Sequence, residues 1–315
     1  LFLSTSELKQ FIQNAATQLG FSHIGISPTS PDTLTTKRLN QWLNKKYHAS
    51  MGWMQTRSEE RTNIYTYFPE AKSVISLAMN YFTGNANNDI MGKISNYAWG
   101  DDYHETIKPR LNSLLNSIIS KQSDAVGIVC VDTSPVMEKA WAQKGGLGWI
   151  GKHTNLITRD YGSWIFLGEI VINLELEYDM PFIEDLCGSC TACLDACPTN
   201  AFPEPYVLDS SKCISYLTIE HRGDLPVEME NELSGWIYGC DICQEVCPWN
   251  IKFHQISKEI TFHPREKLQK QSMTEWNQLT QEKFSALFKN SAVKRTKFKG
   301  LKRNIDAVIK SIDAP

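Results

Sequence analysis

Cysteine is the residue type whose spacing carries the most chemistry in this chain of 315 residues. Eight of the nine cysteines lie between residues 187 and 247. The first four form the pattern Cys-x-x-Cys-x-x-Cys-x-x-x-Cys-Pro, at Cys187, Cys190, Cys193, Cys197 and Pro198. Bacterial two-cluster ferredoxins have this spacing, and in them the fourth cysteine ligates the other cluster. The run therefore predicts a pair of 4Fe-4S clusters.

A second cysteine run has the same spacing but lacks its first position. Its members are Cys240, Cys243, Cys247 and Pro248, and Cys213 is the nearby cysteine left to replace the missing one. Crossing the fourth cysteines gives two predicted ligand sets. They are Cys187, Cys190, Cys193 and Cys247 for one cluster, and Cys197, Cys213, Cys240 and Cys243 for the other. A structural zinc site is the alternative, although zinc typically uses paired Cys-x-x-Cys units separated by a loop.

The remaining cysteine, Cys130, lies in an apolar, strand-like run, where a small core residue is expected. Two clusters that share ligand loops form a short electron-transfer unit, which needs an acceptor. About 180 residues precede the cysteines, far more than a simple ferredoxin requires. This excess predicts a catalytic centre that receives one electron at a time.

The glycine-rich stretch KGGLGWIGKH, residues 144 to 153, is ambiguous. Its glycines match the dinucleotide-binding string, but they follow a helix-like segment where that fingerprint requires a strand. Its end resembles a phosphate-binding P-loop, except that His153 follows Lys152 where a hydroxyl should bind magnesium. Two interpretations remain: a tight glycine turn, or close approach of the backbone to a large flat cofactor.

The elements that must position these motifs alternate up to about residue 178. Strands are predicted at residues 73 to 82, 125 to 133 and 163 to 176, and helices at 104 to 122 and 135 to 143. This pattern indicates an α+β layered domain over residues 1 to 180. Residues 181 to 255 are predicted to form a ferredoxin-like two-cluster module in which metal bonds replace a core. Residues 256 to 315 are predicted to form a short helical segment.

Composition and the N-terminal residues limit the compartment and the partners. The 42% hydrophobic content is enough for a substantial core, and the net charge of -3 means that a nucleic-acid partner must be met by a local basic patch. The first twenty residues predict an amphipathic helix that begins near Ser4 or Ser6, not a signal peptide or membrane span. Clustered cysteines without a secretory segment favour metal binding in a reducing cytoplasm.

Four further stretches and both cysteine motifs carry a family resemblance. They are YAWGDDYH (97 to 104), VDTSPVMEK (131 to 139), GLGWIGK (146 to 152) and GSWIFLGE (162 to 169), and the second cysteine motif ends in CPWN (247 to 250). Over about residues 10 to 305 the chain resembles epoxyqueuosine reductase. The resemblance implies an iron-sulfur and cobalamin-dependent oxidoreductase that reduces the epoxide of epoxyqueuosine to queuosine at the wobble position of the tRNA anticodon. It also implies a nitroreductase-like cobalamin-binding domain.

The resemblance places Asp132 at the position of the family's catalytic acid. Asp132 follows the apolar run AVGIVCV, and burial beside a corrin would raise its pKa and make it a proton donor near neutral pH. The alternative is a helix N-cap, because DTSP precedes a predicted helix.

Contacts with the corrin are also implied by the resemblance. The positions are Arg57, Tyr97, Lys152, Thr158, Gly162 and Ser163. A surface arginine, a packed tyrosine and a hairpin loop are the ordinary alternatives for Arg57, Tyr97 and the loop from 158 to 163. The histidine-on cobalamin string Asp-x-His-x-x-Gly does not occur, so we expect no protein histidine as a cobalt ligand.

The most basic segment, residues 294 to 303, has six positive residues in ten. Its predicted contacts with tRNA phosphates are Lys294, Arg295, Lys297 and Lys299. A solvated helix face is the alternative. We also expect a monomer without membrane attachment that takes electrons from an external low-potential donor.

Three rival functions fit parts of the pattern. A reductive dehalogenase combines cobalamin with a truncated second cysteine motif, but commonly carries a twin-arginine signal that is not visible here. A non-catalytic electron carrier or cobalamin-handling protein and a flavin oxidoreductase are the others.

Overall fold

The computed structural model describes residues 4 to 84, 92 to 269 and 271 to 313. The strands in this part of the chain are β1 (His23–Pro28), β2 (Ser73–Asn80), β3 (Lys93–Ile94), β4 (Gly127–Cys130), β5 (Trp149–Ile150), β6 (Leu156–Ile157), β7 (Ile165–Ile172) and β8 (Trp236–Tyr238). β1, β2, β7 and β4 form an antiparallel four-stranded sheet in that order. β3 pairs with β8 in parallel, and β5 pairs with β6 in antiparallel orientation.

Helices surround the sheet and continue to the C-terminal end. They are α1 (Thr5–Gln18), α2 (Thr33–Asn44), α3 (Gly52–Thr56), α4 (Ser58–Thr62), α5 (Ile64–Tyr67), α6 (Tyr103–Lys121), α7 (Glu138–Lys144), α8 (Ala192–Asp195), α9 (Ile214–Ile219), α10 (Ile242–Glu245), α11 (Pro248–Phe253), α12 (Glu266–Gln269), α13 (Met273–Asn277), α14 (Gln281–Leu287) and α15 (Lys297–Asp313). The mixed α+β class is confirmed. No helix among the described residues is both long and apolar enough to cross a bilayer.

The predicted N-terminal helix is confirmed, and its start has a clear cause. The Ser4 hydroxyl accepts a hydrogen bond from the Glu7 amide, while the Glu7 carboxylate accepts one from the Ser4 amide. This capping box satisfies amide groups that a helix start leaves without intrahelical partners. Ile12 of α1 and Leu111 of α6 are fully buried in one core with Ile75 and Ile170 of the sheet. α1 and α6 therefore cover one face of the sheet.

The other face of the sheet packs against α7. Trp141 of α7 lies in a cluster with Val74 and Cys130, and Cys130 is fully buried. The prediction that Cys130 is a core residue is confirmed, and burial raises the pKa of its thiol to about 12. The predicted helix at 135 to 143 begins only at Glu138, because residues 132 to 137 form a bend beforehand.

The second half of the cysteine-rich region packs into a hydrophobic core that it shares with the C-terminal helices, so the expectation that metal bonds replace a core there is wrong for this half. Leu217 and Trp236 are buried with Leu301 and Ile305 of α15. Residues on both sides of position 255 thus share one core. This core fixes the second cysteine run against the C-terminal helices.

Candidate active site and cluster loops

Asp132 stands at the end of β4, where the chain leaves the sheet. Its φ of +51° is in the left-handed region, which aspartate adopts more readily than most residues. Its amide donates a hydrogen bond to the Glu138 carboxylate at the start of α7. The cap of α7 is Met137, so Asp132 is not a helix N-cap. The tight bend holds the Asp132 side chain beyond the sheet edge.

His104 connects Asp132 to the start of α6. Asp102 caps that helix and accepts a hydrogen bond from the His104 amide, and its Oδ1 lies 2.7 Å from His104 Nδ1. The other ring nitrogen, Nε2, lies 3.5 Å from Asp132 Oδ2. Burial would lower the pKa of His104, but the hydrogen bond to Asp102 and the ion-pair contact with Asp132 outweigh it and raise the pKa to about 9. His104 is therefore a cation at neutral pH.

In the chain alone the Asp132 side chain is 60% exposed, so the expectation that burial beside a corrin raises the pKa of Asp132 stays a prediction. Burial would raise it, but hydrogen bonding with His104 and Tyr103 and the charge of His104 lower it below the ordinary value. The Tyr103 ring is held between His104 and Phe166, with ring centroids 4.2 and 4.3 Å apart. Asp132 is thus an ionised carboxylate with a protonated imidazole beside it.

Two further acids, Glu138 and Glu169, were not predicted from the sequence. Burial and the charge of Asp132 raise the pKa of Glu138 to about 8. Glu169 is fully buried beside Ser76 and Cys130 in the sheet, and in the described part of the chain neither carboxyl oxygen has a partner. Burial and the charge of Glu138 raise the pKa of Glu169 well above its ordinary value. Carboxyls with pKa values shifted in opposite directions are typical of acid-base sites.

Lys139 links this acidic group to the second cysteine run. Its ammonium donates to the Thr154 carbonyl at 2.8 Å and interacts electrostatically with Glu138, Asp132 and Cys243. Lys139 is exposed as a whole residue, but the protein around its ammonium desolvates it, and this desolvation lowers the pKa of Lys139 despite the negative neighbours. The acids and the Cys243 loop therefore both lie within electrostatic range of Lys139, and the region between them is called the cleft below.

Arg61, rather than Arg57, faces the acids. Arg57 pairs with Glu60 at 3.1 Å and stacks over Tyr67. Arg61 interacts with Glu138 and Asp132, and its buried Nε has no hydrogen-bond partner among the described residues. Burial lowers the pKa of Arg61. Arg61 as a whole is half-buried, and its buried, unused Nε donor is a group that a ligand could satisfy.

Tyr97 and the loop from residue 158 to residue 163 contact different parts of the chain. The Tyr97 hydroxyl donates to that of Tyr238 at 3.1 Å, and the charge of Asp132 contributes to raising the pKa of Tyr97 after burial, the largest cause. Thr158 and Gly162 close the loop by a backbone hydrogen bond.

The loop is fastened to the cysteine region by Asn250. Its side-chain oxygen accepts a 2.6 Å hydrogen bond from the Ser163 amide, and the Ser163 hydroxyl contacts Gln244 at 2.8 Å. Gly162 has a φ of +61°, and a Cβ there would lie 2.0 Å from the same Asn250 oxygen. Only glycine fits this contact.

The thiols of the two predicted ligand sets interact electrostatically with one another, and the assignment of each set to one cluster stays a prediction. The pKa of Cys193 is raised to about 11, mainly by burial and then by the charges of Cys247, Cys187 and Cys190. Burial also raises the pKa of Cys240, with contributions from Cys243 and Cys213. The remaining member, Cys197, interacts with Cys213.

Cluster ligation fits these loops better than mononuclear zinc. Cys243 interacts with Cys193 as well as with its own set, so the two sets adjoin. Within the described ranges, no three His, Cys, Asp or Glu side chains converge on one metal position.

Lys152 lies at the first cysteine loop. Its Nζ donates to the carbonyls of Gly188 at 2.6 Å and Cys190 at 2.8 Å. The glycines before it permit close approach of the chain's own backbone: a Cβ on Gly148 would lie 2.0 Å from the Ile157 carbonyl. The glycine stretch is therefore a tight turn in a small hairpin. His153 beside it is buried, and burial lowers its pKa to about 4.

The predicted tRNA-binding residues divide into two kinds. Lys294, Lys297 and Lys299 are exposed at the start of α15, without an ion-pair partner in the described part of the chain. Arg295 instead forms hydrogen bonds of 2.9 and 3.0 Å to Glu220, stacks over Trp53, and interacts electrostatically with Asp132. Arg295 therefore lies within electrostatic range of Asp132.

Protein-family models match both the cysteine loops and the part of the chain that contains Arg61, His104 and Asp132. Residues 186 to 250 match the family described as "4Fe-4S double cluster binding domain", and residues 61 to 133 match "Epoxyqueuosine reductase QueG, DUF1730". The fold and site therefore define an iron-sulfur oxidoreductase with two 4Fe-4S clusters.

Individual relatives and solved structures show which family of iron-sulfur oxidoreductases the chain is similar to. The epoxyqueuosine reductase of Cellulophaga algicola is 44% identical over 94% of this chain and 96% of its own, and that of Escherichia coli is 39% identical over 93% and 78%. A crystal structure of epoxyqueuosine reductase with an epoxyqueuosine-modified tRNA-Tyr stem loop superposes with a TM-score of 0.89 at 28% identity, covering 98% of this chain and 82% of that one. The chain belongs to the epoxyqueuosine reductase family.

Proposed function

We propose that this protein reduces the epoxide of epoxyqueuosine in the tRNA anticodon loop to the alkene of queuosine. The reaction consumes two electrons and two protons and releases the epoxide oxygen as water. The observation that carries the proposal is the convergence of Asp132, His104 and Glu138 on a cleft that Lys139 connects to Cys243. Proton donors and an electron inlet thus meet at one place.

The two predicted cysteine sets would hold the clusters, and the set containing Cys243 would adjoin the cleft. Cobalamin would occupy the cleft, because Arg61 Nε and His153 Nε2 are buried polar atoms without partners among the described residues. The amide-rich edge of a corrin offers acceptors and donors to such atoms. Bound cobalamin supplies a strong nucleophile or one-electron donor for carbon-oxygen cleavage.

The chain's own residues handle protons and orientation. His104 holds a proton 3.5 Å from the Asp132 carboxylate, so a proton can move from His104 to Asp132 and on to the departing oxygen as the carbon-oxygen bond breaks. Glu138 retains its proton up to a pH of about 8 and can supply the second one. Tyr97 and Tyr103 pack behind Asp132 and limit its movement.

The substrate would be held outside the cleft by tRNA contacts. Lys294, Lys297 and Lys299 are free to meet phosphates, and Arg295 with Trp53 stands near the catalytic carboxylate. We also propose that the protein works as a cytoplasmic monomer that takes electrons from an external low-potential donor.

The test is a turnover assay with purified, cluster-loaded protein, cobalamin, a low-potential reductant and tRNA bearing epoxyqueuosine. Nucleoside mass analysis should show loss of one oxygen from the modified base. Controls without cobalamin and with Asp132→Asn should leave epoxyqueuosine intact. Unchanged nucleoside in the complete reaction, with clusters and cobalamin verified by their spectra, would contradict the proposal.

A further inference from the structure

Lys152 is the last residue of the P-loop-like pattern in the sequence. Its side-chain contacts in the structure are with the first cysteine loop. The side chain reaches across to the first cysteine loop and donates hydrogen bonds to the carbonyls of Gly188 and Cys190. The Lys152 carbonyl in turn accepts from the amide of Tyr206, at 3.0 Å. The lysine is therefore fixed at both its backbone and its ammonium.

The charge of Lys152 is buried without a protein counter-ion. Only 9% of the residue is exposed, and no carboxylate among the described residues forms an ion pair with its ammonium. Burying an unpaired charge is costly, so buried ammonium groups normally have an anionic partner. Carbonyl oxygens supply dipoles but no net charge. The missing partner must be an anion at the loop that these carbonyls belong to.

We propose that Lys152 is the counter-ion of the 4Fe-4S cluster at the first cysteine loop and raises the reduction potential of that cluster. The cluster in question is the one assigned above to Cys187, Cys190, Cys193 and Cys247. The inference rests on that cluster ligation and not on the identity of the substrate. It assigns the P-loop-like lysine to the electron inlet instead of to a nucleotide phosphate or the corrin.

The physical reason is electrostatic. A 4Fe-4S cube with four thiolate ligands is an anion, and its one-electron reduction adds a further negative charge. A fixed ammonium nearby favours the more negative, reduced state, and net charge is one of the factors that set cluster potentials. Partial exposure of this loop screens the effect, since Cys190 is exposed to solvent. We expect the lysine to change the reduction equilibrium constant about tenfold, equivalent to about 59 mV for one electron.

Three substitutions separate charge from hydrogen bonding and volume. Lys152→Gln removes the charge and keeps an N–H donor, Lys152→Met keeps an unbranched side chain, and Lys152→Arg keeps the charge. Lys212→Gln is the matched control, because Lys212 precedes Cys213 of the other set but is exposed to solvent. For each full-length protein, iron content is measured first, and the cluster potentials are then determined by redox titration followed by electron paramagnetic resonance.

The expected result is a more negative potential for one cluster in Lys152→Gln and Lys152→Met, with unchanged iron content, and potentials close to those of the parent in Lys152→Arg and Lys212→Gln. Loss of one cluster in both neutral variants but not in Lys152→Arg would also support the counter-ion role. Unchanged potentials in a neutral variant that keeps its iron would overturn it. So would loss of the cluster in all three Lys152 variants, which would indicate a structural clamp. A parent protein without cluster iron would contradict the proposed ligation itself, and absence of turnover with normal potentials would contradict only the proposed reaction.

Discussion

The cysteine loops and the Asp132 cleft are built by opposite strategies. The loops keep their functional residues close in sequence, with short helices α8 and α10 fixing the local spacing. In the cleft, Arg61, His104 and Asp132 come from separate elements of the fold. Their proximity therefore depends on how the sheet and α6 pack together. A cluster site therefore depends on residue identity, whereas the acid site depends on convergence and on the resulting pKa values. Substitutions in the two regions should fail in different ways.

The largest expected effect is at the cluster loops. Cys213→Ala should remove one cluster and reduce turnover to background, because a broken electron path supplies no electrons to the cleft. Iron content and visible absorbance measure the cluster directly. Cys130→Ala is the control, since Cys130 is buried in the sheet core and should keep both clusters. Full iron content in Cys213→Ala would remove Cys213 from the ligand set.

The next effect is expected at Asp132. Asp132→Asn should lower the rate of epoxide reduction by about 10²- to 10⁴-fold, the usual contribution of a positioned proton donor. Iron and cobalamin content should stay at parent levels. The exposed Asp124 provides the control substitution Asp124→Asn, which should leave the rate unchanged. A parent-like rate in Asp132→Asn would move the proton-donor role to another group.

The cysteine ligands are close in sequence and the residues of the Asp132 site are not. This difference explains why the sequence predicted the cysteine loops more fully than the Asp132 site. Cysteine spacing predicted both ligand sets, and the neighbours of Cys193 and Cys240 agree with the crossed assignment. Short β-branched and aromatic runs predicted β2 and β7, and a helix-like pattern predicted α6, each to within a few residues. These signals are local, so they can be recognised before the fold is known.

The acid site could be predicted only in part. Resemblance pointed to Asp132, but the direction of its pKa shift depends on His104, which lies 28 residues earlier in the chain. Glu169 left one signal, a lone acid within the apolar strand IFLGEIVI. The contact of Lys152 with the first cysteine loop was not predicted, because its partner carbonyls lie 36 and 38 residues away. Long-range contacts of this kind have no local pattern.

A smaller effect with a distinctive pH dependence is expected at His104. Because its folded pKa of about 9 is above the ordinary 6.5, its contribution to stability is complete below pH 6.5 and is lost as the pH rises through about 9. His104→Gln should therefore be less stable than the parent at pH 6, and the difference should shrink by pH 10. Thermal unfolding across this range measures it. The rate should also fall about tenfold at neutral pH, from loss of the stored proton. A stability difference that grows with pH would contradict the assigned ion pair.

The junction between the two regions can be tested at Gly162. Gly162→Ala forces a Cβ against Asn250 and should lower the free energy of unfolding by about 1 to 3 kcal/mol. The matched control is Gly52→Ala, since a Cβ at Gly52 meets no atom within 4 Å and Gly52 lies in α3. That change should be neutral or slightly stabilising. Denaturant unfolding of both variants measures the difference, and equal stabilities would show that the loop yields without cost.

The smallest effect is expected on the outer surface, where exposed lysines are proposed to bind the tRNA substrate and take no part in the reaction. Replacing Lys294, Lys297 and Lys299 by alanine should weaken tRNA binding at low salt and leave the rate at saturating tRNA unchanged, because these side chains lie outside the cleft. Each lost phosphate contact should reduce the slope of log affinity against log salt by about 0.7, the value for single strands. The control replaces three other exposed lysines, Lys37, Lys108 and Lys121, and removes the same net charge. An equal change in slope for both triple variants would indicate a general charge effect. A change confined to the first would locate the tRNA backbone at the start of α15, beside the cleft that Arg295 and Trp53 border.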